Sequence, residues 1–129
     1  MKLKTYDSGT IKAAAASESF NTDLIKGEIV KIHIDCSAST DFKIYCDASD
    51  VGTGSIVDEY IVGTSGAAVT VNTSSVIYPV VAEYTSDGNI TDPDQYSRHY
   101  VDEALQVDVT NLTADDTYRV VIWYIDMNE

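Results

Sequence analysis

Histidine, cysteine, proline and positive charge are all scarce in this 129-residue chain. Lysine and arginine number 8 against 21 acidic residues, for a net charge of −13. Nucleic-acid binding needs clustered Lys and Arg that displace counterions from phosphates, so that partner class is excluded. Anionic membrane surfaces repel such a chain for the same reason. No apolar run approaches the ~18–20 residues that span a bilayer. The four alanines from Ala13 to Ala16 fall short of the ~7–15 apolar residues of a signal-peptide core.

The chemical motifs are missing too. His33 and His99 have no Cys or second His at metal-ligand spacing. Gly63-Thr64-Ser65-Gly66 lacks the spacing of a nucleophile elbow. Gly52-Thr53-Gly54 lacks the third glycine or the lysine of a phosphate loop. The expectation is no catalytic residue, no cofactor and no enzyme.

With two cysteines, one disulfide is conceivable, but strand geometry argues against it. Ile32, Ile34 and Cys36 alternate on one strand face, and Phe42, Ile44 and Cys46 on the next. In a shared hairpin Cys36 lies opposite Phe42 and Cys46 opposite Ile32, which separates the sulfurs by ~13 Å. A bridge needs Cα atoms within ~7 Å. Free, buried thiols are expected.

What the chain does have is Ser, Thr, Val, Ile and Tyr, residues that suit half-buried pleated surfaces. Apolar residues recur at period two rather than at helical spacing. Strands are expected at 28–36, 42–47, 59–62, 69–71, 76–84, 100–109 and 117–126, with shorter ones at 3–6 and 10–15. In the clearest of them Val30, Ile32, Ile34 and Cys36 point inward. Pro79 marks an edge or a bulge, and residues 111–116 a tight corner. With no composition break, the reading is one domain over residues 1–129, an all-β antiparallel sandwich, jelly-roll or immunoglobulin-like, of seven to nine strands.

Three features bear on binding. Residues 1–43 hold all six lysines against six acids, whereas residues 44–129 hold 2 arginines against 15 acids. The neutral third is a candidate partner surface, including Lys2 and Lys4. Residues 87–94 place Asp87, Asn89, Asp92 and Asp94 in a short loop, oxygen donors of the kind calcium takes, although turn chemistry explains the same composition. The last strand is apolar on both faces: Tyr118, Val120, Ile122 and Tyr124 on one, Val121, Trp123 and Ile125 on the other. An antiparallel sandwich strand usually keeps one polar face. Either a loop covers it, or Val121, Trp123 and Ile125 meet a partner.

Asn111-Leu112-Thr113-Ala114-Asp115-Asp116-Thr117-Tyr118 resembles the tyrosine corner of fibronectin type III and related sandwiches, which implies a Tyr118 phenol bonded back to the upstream backbone. Gly27 to Ile32, Ser39 to Tyr45 and Thr117 to Val120 are similar to jelly-roll-like domains appended to secreted bacterial peptidases, which are binding appendages. The expected role is a structural or decorating protein of a particle such as a tailed-virus capsid, with protein partners. The expected location is the virion or, for a non-viral protein, the cytoplasm. The alternative is a carbohydrate- or calcium-binding module.

Overall fold

The computed structural model describes residues 1–46, 59–82 and 96–126. Every element in them is a strand: β1 (Lys2–Asp7), β2 (Ile11–Lys12), β3 (Glu18–Cys36), β4 (Thr40–Cys46), β5 (Glu59–Val62), β6 (Val69–Val71), β7 (Ser74–Ile77), β8 (Val80–Ala82), β9 (Tyr96–Arg98), β10 (Tyr100–Thr110) and β11 (Thr117–Asp126). Nine form one antiparallel sheet in the order β1-β11-β3-β10-β4-β5, with β2 on β11, β6 on β4 and β7 on β3. The sheet does not close into a barrel. Strands β8 and β9 make a separate ribbon.

The 19-residue β3 organises the sandwich. Its first half pairs with β10, and its second half with β11 and β7. The first half therefore belongs to a back layer with β10, β4, β5 and β6. The second belongs to a front layer with β1, β2, β11 and β7. Three local devices bend the strand between them. At Thr22–Asp23 an extra residue breaks the register with β10, and the Thr22 hydroxyl accepts the Leu105 N–H at 2.9 Å. At Gly27 the backbone takes φ 151°, a conformation open mainly to glycine. At Val30 a second extra residue shifts the register with β11. Bulges of this kind bend and twist a strand.

The Val30 bulge corrects the expected inward set. Ile29 is fully buried, as are Ile32 and Ile34, while Val30 is only half-buried. An extra residue reverses the parity of every side chain before it. The strand also starts ten residues earlier than its apolar alternation shows, because residues 18–27 put Ser19, Asn21, Asp23 and Lys26 on the surface.

The expected β3–β4 hairpin is not there. Strand β3 continues with β11, β4 pairs with β10, and residues 37–39 cross from one layer to the other. The two strands meet face to face across the core. Phe42 lies edge-on to Tyr118 of the opposite layer, with centroids 6.3 Å apart. Cys36 Sγ donates across the same gap to the Val71 carbonyl at 3.3 Å. The cysteines are nonetheless free and buried, and burial raises both thiol pKa values. Native protein should therefore react slowly with a thiol reagent at neutral pH and show both thiols once unfolded. Fast native labelling, or no thiol on unfolding without reductant, would contradict this burial.

Strands β4, β5, β6, β10 and β11 lie close to their expected ranges, whereas the strand expected over 10–15 shrinks to β2 and β9 forms where no strand was expected. The expected strand over 76–84 is broken by Tyr78 and Pro79 into β7 and β8, since proline cannot donate to a ladder. The 111–116 corner is built on Asn111 and Asp115 with φ of 62° and 75°, left-handed positions that Asn and Asp tolerate. It docks on the chain after β2 through Ala13 N–H to Asp116 O and Leu112 N–H to Ala16 O, at 2.7 and 3.1 Å. The Tyr118 phenol departs from the anticipated corner: it donates to Glu18 Oε1 at 2.8 Å. Glu18, at the start of β3, supplies an acceptor that takes the place of the upstream backbone.

Candidate partner-binding face

Strands β1, β11, β3 and β7 of the front layer, joined at one end by the first residue of β10, present an outer face whose rows can be read from the register. Leu3, Ile125, Glu28 and Tyr100 lie side by side across β1, β11, β3 and β10. Thr5, Trp123 and Lys31 form the next row. Asp7, Val121, His33 and Val76 follow, and then Arg119, Asp35 and Ser74. Directly paired residues point to the same side of a sheet. Leu3 is 60% exposed, Tyr100 52% and Val76 48%. Trp123 and Ile125 are half-buried, and Val121 is buried.

Trp123 stands outside the core and is flanked by its neighbours on β3. The Lys31 ammonium sits 4.7 Å from its ring centroid, and the His33 ring stacks on it at 6.5 Å. His33 Nε2 in turn lies 2.9 Å from Ser74 Oγ and 3.1 Å from Asp35 Oδ1. Arg119 grips Asp7 with two hydrogen bonds, Nε to Oδ1 at 2.9 Å and Nη2 to Oδ2. Arg98 lies 3.8 Å from Glu28. The three acids Asp7, Glu28 and Asp35 are balanced in number by the three cations Lys31, Arg98 and Arg119. A chain of net charge −13 keeps this face neutral.

The Asp7 clamp has a pH signature. Hydrogen bonds from Arg119 and from the Gly9 N–H lower its carboxyl from 3.8 to about 2. A depressed carboxylate stabilises the fold above its unfolded pKa and loses that contribution as pH falls through the folded value. Strand β1 should loosen from β11 between pH 3.8 and about 2. The check is amide exchange of β1 across that window, and Asp7→Asn should abolish the step. A β1 protection independent of pH there would show that the clamp does not hold the strand.

The expected site residues divide. Val121, Trp123 and Ile125 share the outer face. Lys2 and Lys4 lie on the other side of β1 from Leu3 and Thr5, and Lys4 Nζ reaches Asp126 Oδ2 at 3.0 Å. The neutral first third also fails to form one surface, because β3 carries it through both layers. Lys31 ends on the front face, whereas Lys43 ends on the back layer, 3.1 Å from the Ser65 carbonyl. Leu3, Val76 and Tyr100 join the face without having been anticipated. Only cross-strand register places them beside Trp123.

Elsewhere, the back layer's outer surface is a polar network. Asp108 accepts from Ser19, Tyr45 and Gln106 at 2.7, 2.8 and 3.0 Å. Burial alone would raise this carboxyl, but those bonds outweigh it and hold it below its ordinary value. With these donors engaged, the network staples β3, β4 and β10. His99 is buried, with Nδ1 3.5 Å from Glu59 Oε1 and no hydrogen bond. Among the described residues no group of three or more His, Cys, Asp or Glu is placed to hold a metal ion. Asp87, Asn89, Asp92 and Asp94 lie outside the described residues. Comparison with family models, with curated proteins and with solved structures finds no match.

Proposed function

We propose that this chain is a non-enzymatic structural protein that attaches to a larger repeating protein assembly, a virion surface being the setting its sequence fits best. One observation carries the reading: register brings Leu3, Trp123, Ile125, Val121, Val76 and Tyr100 onto one outer face, on either side of the polar β3 column of Glu28, Lys31, His33 and Asp35. Two of the face's acids already hold a cation, Asp7 that of Arg119 and Glu28 that of Arg98, which lowers the cost of covering it. An unpaired charge is among the costliest groups to bury at an interface. Tryptophan is a typical anchor at interface centres, where truncation often costs 2 kcal/mol or more.

The test is Trp123→Ala, expressed in place of the wild-type chain, with particles then purified from the same cells. The variant should be lost from them. Its isolated melting temperature should fall far less than the ~3–5 kcal/mol loss of a core tryptophan implies. A variant retained at wild-type level, or a wild type never found on any particle, overturns the reading.

A further inference from the structure

Building on that docking face, we infer that its occupant is a second copy of this chain, related by a two-fold axis running along the strands between β11 and β3. Such an axis lays β11 of one copy over β3 of the other, row by row. Arg119 then faces Asp35 of the second copy, Val121 faces His33, and Trp123 faces Lys31. The pairings follow from the register alone, which sets Arg119 beside Asp35, Val121 beside His33 and Trp123 beside Lys31 within one copy. A face whose adjacent strands match in this way is self-complementary, as an isologous interface requires.

Electrostatics selects both this surface and this orientation. Two copies each carrying −13 repel one another, and a neutral face lets them touch without facing like charges at close range. The two-fold along the strands brings two arginines and two aspartates into an alternating cluster. A two-fold across the strands would instead bring Glu28 towards Asp35, setting acid against acid. Stacked sheets cross at about 30°, so the central strands β11 and β3 stay in register while the rim diverges. The contact is small. Four strands about 4.8 Å apart and four rows about 7 Å apart give roughly 400–500 Å² per copy. A standard interface uses about 800 Å² per partner. The dimer is therefore weak.

Sedimentation equilibrium of the whole chain tests this. Mass should rise towards the dimer between about 10 μM and 1 mM. Trp123→Ala and Asp35→Arg should each weaken association about tenfold or more with folding checked by melting. Asp35 lies at the exposed surface, so its variants report even where Trp123→Ala folds poorly. A monomer at every concentration, or a dimer indifferent to both single variants, overturns self-docking. If the chain stays monomeric while Trp123→Ala still abolishes particle attachment, the inference fails and the attachment reading stands. Dimerisation through this face without any larger particle gives the opposite result.

Discussion

Gly27→Ala should unfold the sandwich or cost it at least about 3 kcal/mol. Gly27 lies where β3 passes from the back layer to the front, paired with Val101 on β10 and next to the end of β11. A Cβ there would sit 1.9 Å from the Ile125 carbonyl oxygen and 3.2 Å from the Asp126 Cα. Both obstacles are backbone, which no rotamer change can move aside. The φ of 151° adds strain for any residue with a side chain. Relief requires β11 to move off β3, and that movement opens the front layer. A suitable control is Gly66→Ala, whose Cβ would meet nothing within 4 Å and should change stability by no more than about 0.5 kcal/mol. Both are read from urea midpoints. Equal midpoints for Gly27→Ala and wild type would mean that β3 and β11 do not approach as described.

The second large effect lies between the layers. Phe42 is fully buried on β4 and meets the Tyr118 ring of β11 edge-on. Phe42→Ala should cost about 3–5 kcal/mol, from lost burial and from a cavity that two stiff sheets cannot collapse to fill. Phe42→Leu should recover most of it. The comparison with Trp123→Ala is the informative one. Both remove a large aromatic side chain, but Trp123 stacks on the outer face, where solvent replaces it without a void. Equal losses for the two variants would show that Trp123 does not lie outside the core that holds Phe42.

Period-two alternation is local, and it determined much of the fold without help. Ile32, Ile34 and Cys36 could be assigned to one buried face, and Phe42, Ile44 and Cys46 to the next, because neighbours two apart share a face whatever the strand pairs with. The corner at 111–116 was legible for a similar reason: Asn and Asp carry their own turn preference. The doubly apolar β11 was legible as an anomaly, but not which of its two faces met the core.

Pairing is not local, and it decided the rest. Strand β3 was read as half its length because its first half shows polar residues to solvent and hides its partner in β10, some 80 residues further along the chain. Bulges at Thr22–Asp23 and Val30 have no periodic mark of their own, yet the second turns Ile29 inward in place of Val30. The short link over 37–39 could have closed a hairpin. The bent β3 sends it across the core instead, because β11 and β7 already occupy both edges of the second half of β3, where β4 would pair. The candidate face depends on the same facts. Val121, Trp123 and Ile125 share a side by alternation, but Leu3, Tyr100 and Val76 come beside them only through register between strands distant in sequence. Side-chain alternation is a property of one strand; a surface is a property of how strands are aligned.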